Sequence, residues 1–423
     1  MRKGGLAFIF VTVLIDFLGY GMLIPVLPKF IGVLSHQDQS GSARDFGLLL
    51  GIYGLMQFLF APVLGNLSDR FGRRPVLLFS LFFNGLNYLI ISHASSMASL
   101  YTGITMSGIA GATFGTASSY IADVSAPEDR PVNFGIIGAA FGLGFIVGPL
   151  VGGTLGLIGI RIPFEAAAGL ALLNVIYGFF VLPESLKKEN RRPFSINSAN
   201  PIRALKILKR YAIVWAMVPS LIASYLADKF VQSTWVLFMS YRFNWNTAET
   251  GFSLTAIGLL CVIFQIGLGR FIIPRLGERR VILVGIASAI FEIVAITLIP
   301  KARDYMVYVI MVLAGMNFLS AQSTQGVLSA QVEDDQQGAL MGALTSLSSL
   351  TQTVGPILAT WLFAFTTRPD RHHPFPGSPF LAAAVMYLIA LLIASRALRN
   401  IPQFNANKAP TKAKKEQLPF ISH

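Results

Sequence analysis

The sequence predicts an all-α integral membrane protein: twelve transmembrane helices in two pseudo-symmetric six-helix bundles, with both termini cytoplasmic. Three observations carry this. Apolar residues make up 54% of the 423-residue chain and charged residues only 13%, with a mean hydropathy of +0.63, too apolar for a soluble domain of this size. Apolar stretches of about 20 residues, the length that crosses a hydrocarbon core of ~30 Å, recur along the whole chain. Features of the first half also return in the second.

The first span, residues 6–29, has Asp16 near its middle and is too long for a cleaved signal, with no small-residue cleavage site before the first loop, so it is expected to be retained. Spans two and three, 46–64 and 75–91, are joined by Gly65-Asn66-Leu67-Ser68-Asp69-Arg70-Phe71-Gly72-Arg73-Arg74-Pro75. A turn this short returns the chain as an antiparallel hairpin. Gly65 and Gly72 are expected to permit close backbone approach there, and Asp69 to cap a helix start or meet an arginine, making a latch between rigid helices. Span four covers 98–121. Span five, 133–155, sets Gly144, Gly148, Gly152 and Gly153 around Pro149, small faces for close helix contact beside a residue that bends the helix. Span six, 164–182, closes a first bundle over 1–183.

A polar, basic linker at 184–210 leads to a second bundle over 211–398 and a basic tail at 399–423. Span seven, 213–239, holds Asp228 and Lys229; span eight, 251–271, holds Cys261. As the only cysteine, Cys261 permits no intramolecular disulfide and reads as a small packed residue. Span nine, 281–299, contains Glu292, and spans ten to twelve follow at 305–329, 338–365 and 379–398.

The net charge of +13 fits nucleic acid only until the Lys and Arg are sorted by side. About three times as many fall on the side of the Asp69 turn as on the other, a bias that places both termini in the cytoplasm. Tail residues Lys408, Lys412, Lys414 and Lys415 are expected to serve orientation and contact with anionic lipid. The bilayer is therefore an expected partner and nucleic acid is not; protons and a small molecule are expected partners on the strength of the mid-span residues and resemblance given below. The chain is expected to work as a monomer in a cell membrane, the bacterial inner membrane.

Overlaying the halves sets Gly72 on Gly277, Arg70 on Arg275 and Arg74 on Arg279. Pro274 falls where the first copy has Asp69, so the latch carboxylate exists once. A closely similar offset sets Gly148-Pro149 on Gly355-Pro356. Half-repeats of this kind typify transporters whose midplane site alternates between two sides. A duplicated channel shares the feature, but no ring of like residues or filter-like sequence is present.

An ionisable residue in mid-span costs roughly 2.5 to 3.5 kcal/mol on insertion scales and marks function by default. Asp16, Asp228, Lys229 and Glu292 are such residues, and Leu226-Ala227-Asp228 overlays Leu14-Ile15-Asp16. Asp16 and Asp228 are thus expected to be mates facing one central cavity. Desolvation favours a protonated carboxyl and a nearby cation favours the charged form, so access to either side decides whether the group holds a proton. Asp16, Asp228 and Glu292 are the expected proton-coupling residues, with Asp16 the principal carrier and Lys229 tuning Asp228. A structural Asp228 to Lys229 pair stands as the alternative, although adjacent helical side chains point about 100° apart. Gln57, Asn84, Asn87, Gln232, Gln265, Asn317, Gln322, Gln325 and Gln352 offer hydrogen bonds to a substrate beside Lys229. Tyr20, Tyr88, Trp235 and Phe264 offer an aromatic lining. Interhelical contact and packing are the competing roles for all of these.

The Gly-x-x-x-Asp-Arg-x-Gly-Arg-Arg pattern of Gly65, Asp69, Arg70, Gly72, Arg73 and Arg74 resembles the loop between helices 2 and 3 of the major facilitator superfamily of secondary transporters. That resemblance implies the major facilitator fold and a cytoplasmic gating role for these residues. The Gly-x-x-x-Gly-Pro-x-x-Gly-Gly run of Gly144, Gly148, Pro149, Gly152 and Gly153 resembles the superfamily's antiporter motif, found mainly among exporters. Over nearly its whole length the chain is similar to the tetracycline/proton antiporter group of drug efflux proteins. The similarity runs through Leu14-Ile15-Asp16, Ile24-Pro25-Val26-Leu27-Pro28, Leu55-Met56-Gln57, Ser107-Gly108-Ile109-Ala110-Gly111-Ala112, Leu182-Pro183-Glu184-Ser185 and Thr234-Trp235-Val236-Leu237-Phe238. It implies export of a drug, in those pumps a metal-chelated tetracycline, in exchange for protons.

Three departures bear on the substrate. Leu86-Asn87-Tyr88 stands where the group has Leu-Asp-Tyr, and Gly103-Ile104 where it has Gly-Arg; in span nine the group's acidic position is apolar, with Glu292 about one turn further on. An Asp and an Arg lost together are what neutral replacement of a charge pair would look like. Overlaying the halves puts Glu292 opposite Asn87, a carboxylate kept at that depth in the other half. Drift in a functioning tetracycline pump accounts for the same replacements.

No enzyme is expected, since no His-Glu-x-x-His, phosphate-loop or paired-aspartate signature occurs. His36, His93, His372, His373 and His423 fall at loops or termini; neither a metal site nor a cofactor is expected. Energy then comes from a gradient, about 2.3 kcal/mol per charge per 100 mV from its electrical part. Two readings stay open beside the exporter: a proton-coupled uptake symporter for a small metabolite, with inward flux, and a non-transporting receptor or scaffold, which needs no titratable midplane groups.

Overall fold

The computed structural model describes residues 3–111, 113–125, 130–191, 208–333, 336–370 and 374–399, and among these every regular element is helical. His372, His373, His423, the tail lysines and most of the linker lie outside the described residues. The first span is not one rod: α1 (Lys3–Leu23) ends before Pro25, and α2 (Leu27–Ser35) leaves at 50°. A proline donates no backbone hydrogen bond and crowds the preceding turn, so the expected continuous span 6–29 bends there. α3 (Gln39–Phe71) starts at Asp38, whose carboxylate accepts from the Gly41 amide at 3.0 Å, and outruns the expected 46–64 at both ends.

α4 (Arg73–Ser92) follows without a loop, because Gly72 at φ 108° ends one helix and begins the next. The fourth span is broken at Gly111 into α5 (Met97–Ala110) and α6 (Thr113–Val124), with Gln57 Nε2 donating 3.3 Å to the freed Gly111 carbonyl. α7 (Arg130–Ile158) and α8 (Ile162–Val181) complete the first half.

In the second half, α9 (Ala212–Phe243) leads to α10 (Thr247–Val262), which opens with a reciprocal cap between Asn246 and Glu249. A π-helical turn at Ile263–Leu268 passes into α11 (Gly269–Leu276). α12 (Glu278–Leu298) comes next, then α13 (Met306–Ile310), a 3-10 turn at Met311–Leu313 and α14 (Ala314–Ser329), so the tenth span is also broken. α15 (Gln337–Thr366) and α16 (Ser378–Ala397) end the described chain.

Nine helical stretches among the described residues are long and apolar enough to cross a bilayer, ten if the bent α1–α2 pair counts as one span. The other expected spans are the interrupted α5–α6 and the 30-residue α15, diluted by Ser, Thr and Gln. Among the described glycines only Gly72 and Gly277, the pair overlaid by the sequence repeat, have positive φ. The hairpin geometry thus outlasts the loss of Asp69's counterpart.

α1 packs on α7 and α8, and α4 on α5 and α8; in the second half α9 packs on α15 and α16, and α12 on α14 and α16. The halves meet chiefly along two seams, α3 with α15 and α7 with α10, with a lesser contact between α3 and α9. Both lie from mid-depth to the face opposite the Asp69 turn. At Gly47, Gly51 and Gly54 of α3 an added Cβ would strike Thr360, Ile357 and Gln352 of α15. Hydroxyls stitch the same region: Thr247 Oγ1 donates 3.0 Å to Gly153 O, Thr255 Oγ1 2.8 Å to Ile146 O, and Ser40 Oγ 2.8 Å to Thr367 O. Toward the Asp69 face, by contrast, Gly65, Gly135, Gly138, Gly267 and Gly342 border open space. The strongest contacts between the halves thus gather on the face away from the Asp69 turn.

Candidate functional site

The hairpin motif is built around Arg73. Its side chain is 9% exposed and gives Nη1 to Asp69 Oδ1 at 2.5 Å and to Ser68 Oγ at 2.7 Å, while Nε meets Asp123 Oδ2 at 3.0 Å. Asp69 sits in the last turn of α3 and pairs with an arginine rather than capping a helix. Glu184, just past α8, supplies the cap: its Oε1 accepts from the Arg73 amide at 2.8 Å and its Oε2 from the Arg74 amide at 3.3 Å. A carboxylate at a helix start also favours the helix dipole. Arg74 Nη2 donates 2.6 Å to Phe179 O, and Arg70 stacks over Phe71 at 5.1 Å. The close approach expected at Gly65 does not exist, since an added Cβ there would meet nothing within 4 Å. Gly72 alone is constrained, by its φ and by the Glu184 carboxylate against it.

Asp123 at the end of α6 went unnoticed in the sequence; its signal was an acidic residue at a span boundary, for which the basic hairpin had no assigned partner beyond Asp69. Asp123→Asn is expected to destabilise the protein by about 1–3 kcal/mol, the scale for a part-buried charge-assisted bond. Asp69→Asn should cost less, because Asp69 is 40% exposed against 20% for Asp123. Thermal melting of the two purified variants reads the order.

Deep in the first half, Asn84 Nδ2 on α4 donates to Asp16 Oδ1 on α1 at 3.0 Å. Tyr20, on the same helix as Asp16, stacks on Tyr53 with ring centroids 6.0 Å apart, and the Tyr88 ring lies against Gly19 of α1. The structure therefore gathers Asp16, Tyr20, Asn84 and Tyr88, and adds Tyr53. Asn87 is fully buried; its Nδ2 bonds to Ser107 Oγ, its Oδ1 has no partner, and a Cβ at Gly103 would stand 2.9 Å from that oxygen. Ile104, next in the chain to Gly103, is itself buried.

In the second half, Asp228 accepts from Tyr387 Oη, Asn317 Nδ2 donates 3.2 Å to the same Tyr387 oxygen, and Glu292 on α12 is 9% exposed. Lys229 makes its hydrogen bond with another residue: its Nζ donates 3.0 Å to Gln232 Oε1, and its stem packs on Gly355. Asp16 and Asp228 each sit within their own half. The other expected cavity residues make contacts of their own. Trp235 is 3% exposed, donating 3.0 Å to Ser253 Oγ and stacking on Phe380. Gln57 serves the Gly111 break, Phe264 lies against Gly315, Gln265 and Gln322 border one cleft, and Gln325 is exposed on α14. Tyr387 was missed because nothing local in the sequence ties it to Asp228.

The glycine run of α7 faces two ways. Gly144, Gly148 and Gly152 lie against Phe17, Gly21 and Met22 of α1, whereas Gly153 and Pro149 lie against Thr247 and Gly251 of α10. One helix thus touches both the segment that carries Asp16 and the opposite half, and such backbone proximity is possible only without side chains between.

Two helical bundles, each with hydrogen-bonded carboxylates inside its spans, meeting along glycine-lined seams, define a membrane transporter of the alternating-access type. The chain belongs to the major facilitator superfamily, whose family model matches residues 9–331 and 224–422, a family of transporters and not of enzymes. The class C tetracycline resistance protein of Escherichia coli is 38% identical over 380 residues, covering 90% of this chain and 93% of that protein. The class B protein, also from Escherichia coli, is 34% identical over 412 residues, with 95% and 98% covered. In fold alone, an inward-facing, unoccupied bacterial homologue of the human lysosomal transporter Spinster matches with a TM-score of 0.75 at 16% identity, covering 94% of this chain and 98% of that one.

Proposed function

We propose that this chain is a proton-coupled antiporter that exports tetracycline-like or other amphipathic small molecules from the cytoplasm, working as a monomer in the bacterial inner membrane. The relatives named tetracycline resistance proteins support the drug class. The observation that carries the mechanism is the position of Asp16: it lies on α1, bonded to Asn84, and α1 is packed backbone to backbone on α7, which also forms a seam with the other half. A change of charge on Asp16 alters its hydrogen bonding and hydration, and α1 passes the strain to α7 and so to the seam. Protonation from the outer side and release to the inner side, alternating with substrate, then couple the two flows. Asp228 and Glu292 act as further proton-coupling groups, with Tyr387 and Asn317 holding Asp228.

Proteoliposomes carrying an imposed proton gradient test this. Tetracycline, other amphipathic drugs and small metabolites are added in turn, and proton efflux is followed against substrate uptake. Counterflow of protons with a drug is expected. Co-directional flow of protons with a metabolite would establish the symporter instead, and no coupled flux with any compound would end the proposal.

A further inference from the structure

One cleft outside the Asp16 and Asp228 clusters has the chemistry of a binding site. It occupies about 310 Å³ between α11 and α14 and is lined by Gln265, Gly269, Arg270, Ile273, Pro274 and Gln322. No lining residue is acidic. Arg270 is exposed, forms no ion pair among the described residues, and has its guanidinium 4.7 Å from the Phe271 ring. The cleft lies at the end of the eighth span that runs to the Asp69 face, beyond the α7–α10 seam.

Two local features shape it. The Gly269 amide reaches back to Phe264 O, five residues earlier, so a π-helical turn at Ile263–Leu268 widens the helix just before the cleft; such turns concentrate at functional sites. The degraded hairpin repeat supplies the rest. Overlaying the halves puts Pro274 where the first half has Asp69 and Arg270 where it has Gly65. The second half thus carries a cation four residues before the position at which the first half has its carboxylate.

We propose that this cleft is a cytoplasm-facing docking subsite for the acidic or enolate edge of an amphipathic organic anion, which Arg270 holds and Gln265 and Gln322 orient before the molecule passes deeper. The proposal rests on the exporter reading for the direction of travel, though not for binding itself. Arginine presents a planar fork of donors matched to two oxygens of one anionic group. The two amides each add a donor and an acceptor, while Ile273 and Pro274 offer an apolar wall to the adjoining skeleton.

The probes are salicylate and its neutral amide, salicylamide, titrated into the purified full-length protein in detergent. The wild type should bind salicylate more tightly. Arg270→Gln should weaken salicylate about tenfold and leave salicylamide unchanged, with Arg270→Lys between, as a lost charge-assisted contact predicts. Gln322→Leu should weaken both probes, and it gives a second reading should Arg270→Gln melt early. Equal effects of Arg270→Gln on both probes, or none on either, overturn the proposal. So does loss of wild-type salicylate binding in phosphatidylglycerol vesicles but not in phosphatidylcholine ones, which would make the cleft a lipid headgroup site. Arg270-dependent binding without any transport in vesicles would remove the exporter reading and leave the cleft standing; transport with Arg270-independent binding would do the reverse.

Discussion

Asp16→Asn is expected to reduce gradient-driven transport to background while exchange of labelled for unlabelled substrate continues. The amide has the shape of the carboxylate and keeps an oxygen to accept from Asn84 Nδ2, now at 3.0 Å from Asp16 Oδ1, so the α1 to α4 contact survives. What disappears is the ability to carry a proton. Because a charged carboxylate out of water is costly even when hydrogen-bonded, the neutral variant should melt no earlier than the wild type. The two functional assays separate the explanations: a variant that is merely misfolded loses exchange as well as accumulation. Retained accumulation would move the proton to the second half, where Asp228→Asn and Glu292→Gln, put through the same pair of assays, identify its carrier.

Helices and membrane crossing were legible because both are written in composition and in the length of apolar runs. The half-repeat was legible too, in Gly72 and Gly277, whose shared positive φ explains why both remain glycine. Breaks within spans were harder. Pro25 marks the α1–α2 bend openly, but the interruption at Gly111 and the π-turn at Ile263–Leu268 depend on which backbone bonds tertiary neighbours replace, such as Gln57 on Gly111 O. Pairings between spans lay further from view. Asp16 and Asn84 were each singled out by type, yet nothing in the chain says that they touch. For Asp228 the sequence neighbour Lys229 drew attention, whereas the helix turns Lys229 toward Gln232 and gives Asp228 to Tyr387, 159 positions away. Trp235 was expected at a cavity by its chemistry and is packed by its surroundings.

Closing the outer face requires backbones from opposite halves to come within reach of each other, so Gly51→Val combined with Gly251→Val is expected to hold the protein open on that face and to stop transport. At Gly51 an added Cβ would strike Ile357 and the Thr353 carbonyl, and at Gly251 the Pro149 carbonyl. Every one of these atoms belongs to the other half, so the penalty falls on the seam-closed state and spares the seam-open one. Overpacking costs about 1–3 kcal/mol at each site. The two seams are separate, and the costs should add. A sum near 5.5 kcal/mol would carry a 99:1 population to 1:99. Thr360, 1% exposed where α15 meets Gly47 of α3, makes the reporter. With Cys261 replaced by serine and Thr360→Cys added, a membrane-impermeant maleimide applied from outside should label the glycine-intact protein slowly and the double valine variant fast. Slow labelling combined with a lowered melting temperature would mean that these glycines hold the fold and do not select between its conformations.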